Sequence, residues 1–280
     1  MDVRRPAVQG QFYPDSTTDL ISNIEECFLH SLGPGQFPPS SEKEEILGAI
    51  VPHAGYIYSG PVAANAYYAL SSSVIPETVI ILGPNHWGAG SSVAVAHQDS
   101  WETPLGKLKV DNDAVKELIK CSMIADQDNS AHKQDHCLEV QLPFLQYIYG
   151  NGVKILPIIM TLQDRTTSVD LGNVITEVAS SQKTQILASS DFTHYESHNS
   201  AIMKDAKLID TILSLNISDY YRVLERLNVS ACGYGAIAAV MVAVKNLGAK
   251  KGRLLKYATS GDVTGDKSAV VGYSSIIFVE

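Results

Sequence analysis

Histidines that follow apolar runs are the residues of this chain best suited to chemistry. Three of them end such runs: His53, His86 and His194. Asp191 lies three residues before His194 and adds a carboxylate to the third run. Imidazole nitrogens bind transition metals and transfer protons near neutral pH. The pattern therefore predicts a metal or proton-transfer site to which three segments contribute, although a lone histidine at a strand end is as often a structural residue.

Cys232 is a second candidate, because it stands immediately before a predicted helix over 233–247. The free N–H groups and the dipole at a helix start favour a thiolate, which is the form of cysteine that binds metals. The alternative is a small buried hydrophobic residue, as most unpaired cysteines are. The sequence around Cys232 leaves both interpretations open.

His132 and His136 are four residues apart, a spacing that would place both on one face of a helix and resembles the zinc-protease pattern H-E-x-x-H. Lys133 occupies the position of the general base, so the protease interpretation is disfavoured. His136 with Glu139 is the better pair, as a proton-handling couple at a helix start. Otherwise Glu139 complements the helix dipole and His136 is solvated.

The segment Gly233–Ala238 matches the dinucleotide pattern G-x-G-x-x-A. A nucleotide site of this type needs a preceding apolar strand and an acid at the end of the following one. No clear strand precedes Gly233, and Lys256 stands near the place of the acid. The sequence therefore disfavours a dinucleotide cofactor.

Five apolar runs predict the strands that must position these groups, at 46–51, 78–82, 153–159, 184–188 and 270–278. Near-continuous apolar runs are typical of strands buried on both faces of a sheet. Helical patterns alternate with them, which indicates an α/β fold with a mostly parallel or mixed sheet and helices on both faces. We expect one domain over residues 1–280, with the three run-ending histidines at one sheet edge, where open α/β sheets hold ligands.

Two prolines lie in predicted helices. The pattern over 60–71 predicts a helix with Pro61 in its first turn, where a missing N–H costs nothing. The pattern over 138–149 predicts a helix in which Pro143 either causes a kink or marks the true start.

Composition excludes several classes of protein. A formal net charge of -9 argues against binding to nucleic-acid backbones. The four cysteines are widely spaced without a C-x-x-C pair, which disfavours a disulfide framework and fits a cytoplasmic location. Because no segment reaches about 18 consecutive apolar residues, we expect no membrane span and no signal peptide.

Six segments resemble the Memo family over nearly the whole chain and in the expected order. They are Arg5–Pro14, Pro52–Gly60, Leu82–His86, Glu139–Pro143, Ser189–His194 and Thr259–Asp266. The resemblance implies a fold similar to the class III extradiol dioxygenases, which use non-haem iron(II). It also implies that the metal ligands are His53, His86 and Cys232, and that the residues lining the pocket are His136, Glu139, Asp191 and His194.

The implied ligand Cys232 replaces a carboxylate of the dioxygenases. Softer sulfur shifts the preference toward copper(I), zinc or thiolate-bound iron, so ring cleavage does not follow from the fold. The resemblance suggests a non-haem, metal-dependent oxidoreductase that acts on a small-molecule substrate. The alternative is a non-catalytic binding protein whose metal-lined pocket recognises a peptide or a small anionic ligand. A member with an empty, purely structural pocket is the third interpretation.

Overall fold

A computed structural model describes residues 2–39 and 44–280. The α-helices in these ranges are α1 (Thr17–Leu29), α2 (Tyr56–Ser71), α3 (Asn112–Cys121), α4 (Leu142–Tyr149), α5 (Arg165–Ser180), α6 (His198–Leu213), α7 (Ile217–Leu227), α8 (Tyr234–Asn246) and α9 (Ser260–Thr264). The strands are β1 (Val3–Arg4), β2 (Ile46–Val51), β3 (Thr78–Pro84), β4 (Val93–Val95), β5 (Ser100–Thr103), β6 (Gly106–Val110), β7 (Asp126–Gln127), β8 (Lys154–Met160), β9 (Thr184–Ser189), β10 (His194–Glu196), β11 (Lys251–Thr259) and β12 (Val270–Val279).

These strands form one twelve-stranded sheet. Its centre consists of β8, β3, β9 and β2, which run parallel in that order. Beyond β2 the sheet becomes antiparallel, through β12 and then β11. The predicted α/β class with a mixed sheet is confirmed, and the five predicted strands coincide with β2, β3, β8, β9 and β12 within two residues at each end.

The register of the central strands decides where their ends lie. Val51 of β2 pairs with Ser189 of β9, and Leu82 of β3 pairs with Ala188 of β9. Parallel strands with aligned ends deliver the residues that follow them to the same sheet edge. The connections after β2, β3 and β9 therefore all start at the same edge of the sheet. They carry His53, His86 and Asp191.

Helices cover both faces of the sheet. On one face α2 packs against β2 and β12, with α1 and α4 outside it. On the other face α8 packs against β9, β3 and β2, and α5 covers α8. A helix enclosed on two sides must be apolar all round. The alanine-rich sequence of α8 satisfies this requirement, and its buried start fixes the position of the preceding Cys232.

The prediction that Pro61 lies in the first turn of its helix is wrong. α2 begins at Tyr56, so Pro61 lies in the helix interior and removes one intrahelical hydrogen bond. The buried start of α2 compensates for the lost hydrogen bond, since Tyr56 is 4% exposed and its N–H donates to the carbonyl of Phe12. Gly60 lets α1 approach, because a Cβ there would lie 2.6 Å from Cys27 Sγ.

Of the two alternatives for Pro143, a kink or the start of a helix, the structure shows the helix start. A short 3-10 turn over Glu139–Gln141 precedes α4, and Pro143 lies in the first turn of α4. Because the N–H groups of a first turn have no intrahelical partner, the missing N–H of proline is tolerated there.

Across the described ranges, no helix has both the length and the apolar character that a bilayer crossing needs. The four cysteines are all free thiols, as their spacing predicts.

Gly172 lies where α5 packs tightly against α8, and it provides a test of this packing. A Cβ at Gly172 would lie 2.6 Å from Val242 Cβ and 2.7 Å from the carbonyl oxygen of Ala239. We expect Gly172→Ala to lower the free energy of unfolding by roughly 1–3 kcal/mol, because overpacking outweighs the better helix propensity of alanine. Urea unfolding measures the change.

The matched control is Asp170→Ala, an exposed position of the same helix. Its effect should stay within about 0.5 kcal/mol. A Gly172→Ala protein as stable as the parent would show that α5 and α8 are not closely packed in solution.

Candidate metal centre

Three imidazoles meet at the sheet edge. Ring nitrogens of His53, His86 and His136 all lie within 4.8 Å of one another. The ring centroids of His53 and His86 are 5.1 Å apart, and those of His86 and His136 are 4.5 Å apart. His53 is 2% exposed, whereas the His86 side chain is 30% exposed, so the cluster runs from the interior to the mouth.

Hydrogen bonds assign the tautomer of His53. The Ser189 hydroxyl donates to the Cys137 carbonyl at 2.6 Å and accepts from Gln141 Nε2 at 2.8 Å. Because its single proton is committed, Ser189 must accept the third bond, at 3.0 Å, from His53 Nδ1–H. The Nε2 atom of His53 is therefore an acceptor, with its lone pair facing Cys232 Sγ at 3.1 Å.

Asp135 orients His86 in the same way. One carboxylate oxygen of Asp135 lies 3.1 Å from His86 Nδ1, and the other accepts the His86 backbone N–H at 2.7 Å. Burial opposes ionisation of Asp135, but these bonds and the Cys137 N–H outweigh it and hold its pKa well below the usual value. An ionised Asp135 keeps the proton of His86 on Nδ1, which leaves Nε2 free for a ligand.

The charge state of the imidazoles in this cluster suits the binding of a cation. Burial, followed by the neighbouring His86, lowers the pKa of His53 well below its ordinary value. Burial and the neighbouring imidazoles lower the pKa of His136 to about 3. Both rings are therefore neutral at pH 7, and neutral imidazole is the form that binds metals.

Cys232 borders this cluster next to His53. Its sulfur accepts the Asp191 backbone N–H at 3.3 Å and lies 3.1 Å from His53 Nε2. Burial and then Asp191 raise the pKa of the Cys232 thiol. The start of α8 therefore does not ionise it, contrary to the sequence argument, because desolvation disfavours the charged form. Coordination to a metal would remove that proton.

Asp191 and His194 lie on the connection after β9. Asp191 is 5% exposed and accepts the backbone N–H of His53 at 2.8 Å. Asp191 therefore fixes the backbone of His53, whereas Ser189 fixes its ring. Burial raises the pKa of Asp191, while the bond from His53 acts in the opposite direction. His194 places Nδ1 2.9 Å from the Ser230 carbonyl, so this atom carries the proton and Nε2 is free.

Glu139 does not pair with His136. Its carboxylate, which is fully buried, accepts hydrogen bonds from Arg4, from the backbone of residues 7 and 8, and from Tyr13. The two residues diverge because the chain enters the 3-10 turn at Glu139 instead of an α-helix. The structure thus places Glu139 in a structural network behind the cluster.

His132 and His136 do not share a helix face, because residues 132–136 form an irregular loop. His132 is fully buried and its Nε2 donates to the carbonyl of Ala94 at 3.1 Å, whereas His136 reaches the cluster. The glycines of the G-x-G-x-x-A pattern serve close packing. A Cβ at Gly233 would lie 2.7 Å from the carbonyl of Ser189.

Known proteins of similar sequence identify the family of this chain. The family model described as Memo-like protein matches residues 4–277. A MEMO1 family protein of Methanopyrus kandleri is 49% identical over 98% of each chain. Another, from Nitrosopumilus maritimus, is 50% identical over 99% of this chain and 100% of its own.

The chain belongs to the Memo family. Among solved structures, an uncharacterised protein from Escherichia coli K12 superposes with a TM-score of 0.58 over 83% of this chain and 99% of that one. At 9% sequence identity that likeness shows the fold alone.

Three residues of this Memo-family site were not identified by the sequence argument: Ser189, Asp135 and Gln141. Ser189 is the last residue of β9, and its pairing with Val51 next to His53 could have indicated its role. Asp135 directly precedes His136 but serves His86, and only the folded loop reveals that. Gln141 is 1% exposed, and no sequence signal marks its contact with Ser189.

Asp135→Asn tests the orientation of His86. An asparagine oxygen can still accept from Nδ1–H, but the neutral amide no longer stabilises that tautomer and presents an N–H to the His86 backbone donor. We expect metal affinity to fall roughly 10–100-fold at unchanged stoichiometry. Titration calorimetry with a divalent metal measures it, with Asp164→Asn, which caps α5, as the control. Equal affinities in the two variants would remove Asp135 from the centre.

The buried imidazole of His132 should make the stability of the fold sensitive to acid. Burial, followed by Arg4, lowers the pKa of His132 to about 3, against an ordinary value of 6.5. Between these values the unfolded chain binds the extra proton, so stability falls as pH drops through this window, by up to about 1.4 kcal/mol per pH unit from this group. His132→Gln retains a donor toward Ala94 and should flatten that slope in metal-free protein, measured by urea unfolding from pH 7 to pH 4. An unchanged slope would show that His132 does not titrate this way.

Proposed function

We propose that this Memo-family chain is a metal-dependent redox protein that holds iron or copper at the imidazole cluster. The observation that carries the proposal is the convergence of three imidazoles within 4.8 Å, two of which have their Nδ1 atoms committed to internal partners. Imidazoles that only stabilise a fold have no need to hold their ring nitrogens this close to one another.

The donor set fits a transition metal. His53 and His86 would provide Nε2 atoms, His136 lies in the same cluster as a further nitrogen donor, and Cys232 lies beside His53 as a sulfur donor. Imidazole with a thiolate suits iron, copper or zinc and does not suit magnesium or calcium, which prefer oxygen. When bound, iron or copper would supply one-electron chemistry that the side chains lack.

The chain's own residues can move protons beside this centre. His194 keeps its Nδ1 proton on the Ser230 carbonyl, so its Nε2 is a base at the mouth of the site. Asp191 lies behind the His53 backbone, where burial raises its pKa and makes its carboxylate a better proton acceptor than one in water. His136 belongs to the imidazole cluster, so we assign the proton-transfer role to His194.

A non-catalytic binding protein is the second candidate, and exposed aromatic side chains at the mouth favour it. Trp87 directly follows His86 and is 61% exposed, and Tyr195 directly follows His194 and is 79% exposed. Exposed aromatic residues beside a cleft are typical of recognition sites. The segments 52–60, 85–92 and 190–195 contain no lysine or arginine, which favours an uncharged ligand over an anionic one.

Alanine variants of the four donors test the metal assignment. We expect His53→Ala and His86→Ala to abolish stoichiometric binding of iron(II) or copper(I), because each removes an oriented Nε2 atom. His136→Ala and Cys232→Ala should weaken binding and change the metal's absorption spectrum. Elemental analysis after anaerobic purification and reloading gives the stoichiometry.

Cys121→Ala is the control, since Cys121 is an exposed residue at the end of α3. A full metal load in both His53→Ala and His86→Ala would refute the site. Oxygen consumption by the loaded parent with a panel of catechols then separates the two functions. Turnover that disappears in His194→Ala supports the redox protein, and binding of these compounds without turnover supports the alternative.

A further inference from the structure

The N-terminal segment Arg4–Pro14 is tied to the protein through one carboxylate. Glu139 Oε2 accepts from Arg4 Nη1 at 2.7 Å and from the Ala7 N–H at 2.8 Å. Glu139 Oε1 accepts from the Val8 N–H at 3.0 Å and from the Tyr13 hydroxyl at 2.8 Å. Each oxygen therefore takes two bonds from this segment.

Arg4 connects the same carboxylate to the loop that carries the site residues. Its Nε donates to the His132 carbonyl at 2.6 Å, and its Nη2 donates to the Asp135 carbonyl at 2.8 Å. The guanidinium also lies 4.2 Å from the ring centroid of Trp101. With side-chain exposures of 3% for Arg4 and 0% for Glu139, the pair is shielded from water. Two of the three guanidinium nitrogens thus fix the loop 132–135, and the third binds Glu139.

Phe12 brings the N-terminal segment into contact with the imidazoles. Its ring centroid lies 4.6 Å from that of His136, on which His86 also stacks. The Phe12 N–H donates to the Val8 carbonyl, and the Phe12 carbonyl accepts the N–H of Tyr56 at the start of α2. Phe12 is therefore held at both backbone groups and forms one wall around His136.

We propose that the buried Arg4–Glu139 pair is a positioning unit for the metal centre. Through Arg4 it sets the loop that presents Asp135 to His86, and through Glu139 it seats Phe12 against His136. The inference rests on the proposed metal site but assigns a role to residues that touch no metal. A buried ion pair is in general weak support for stability, which favours a role in fixing one geometry.

Glu139→Gln tests this unit with almost no change in size. Because each carboxylate oxygen accepts two donors, a glutamine in either orientation turns its N–H₂ group against two of them. Arg4→Lys keeps the charge and loses the fork that reaches three acceptors. Phe12→Leu leaves the ion pair intact and removes only the aromatic wall.

The experiment uses cobalt(II) as a spectroscopic probe of the full chain and proton–carbon NMR of the histidine rings without metal. We expect Glu139→Gln and Arg4→Lys to weaken cobalt binding roughly 10–100-fold and to shift its visible bands. Both variants, and Phe12→Leu, should move the ring signals of His136. The signals of the exposed His30 and His97 should not move.

Leu118→Ala, a buried change on α3, is the stability control, because it loosens the fold away from the site. It should leave the cobalt spectrum and the His136 signals unchanged. If Glu139→Gln and Arg4→Lys show the parent spectrum and affinity, the positioning role is refuted while the metal site stands. If the parent binds neither cobalt(II) nor iron(II) or copper(I), the proposed function fails and the metal part of this inference falls with it. Unmoved His136 signals in all three variants would then refute the positioning role itself.

Discussion

The site depends on one constraint, that a buried imidazole N–H must have an acceptor. His53 is 2% exposed, and it meets this constraint through Ser189, which Gln141 and the Cys137 carbonyl complete. An unpaired N–H at this depth would cost about 1–3 kcal/mol. Once Nδ1 of His53 donates to Ser189, its Nε2 faces Cys232 and the other imidazoles. The hydrogen bond that the fold requires therefore also leaves Nε2 available as a ligand atom. Asp135 gives His86 the same arrangement.

The sheet makes this arrangement available. Aligned parallel strands end at one level, and α8, enclosed between the sheet and α5, delivers Cys232 to the same place. The opposite side of the cluster consists of the N-terminal segment and the loop 132–135, which lie outside the central parallel strands. The Arg4–Glu139 pair holds those two irregular segments where the strands cannot. The centre therefore has a rigid half built on strands and a half fixed by side chains.

The sequence predicted the strand half well and the other half poorly, for physical reasons. Apolar runs located β2, β3 and β9, because burial on both faces of a sheet leaves a clear pattern in the sequence. The family resemblance added Cys232. The four-residue spacing of His132 and His136 suggested a helix, but this segment is an irregular loop whose carbonyls at His132 and Asp135 accept hydrogen bonds from Arg4. The partners of Glu139 lie more than a hundred residues away, so no local pattern could reveal that it faces Arg4.

Oriented imidazoles and the Cys232 thiolate are proposed to bind one transition metal. X-ray absorption spectroscopy of the parent, loaded anaerobically with iron(II) or copper(I), examines the metal's neighbours directly. We expect multiple scattering from at least two imidazoles and one sulfur at a metal–thiolate distance, about 2.3 Å as in zinc thiolates. The sulfur scattering should disappear in Cys232→Ala. A metal surrounded by oxygen alone, without imidazole scattering, would rule out the proposed site.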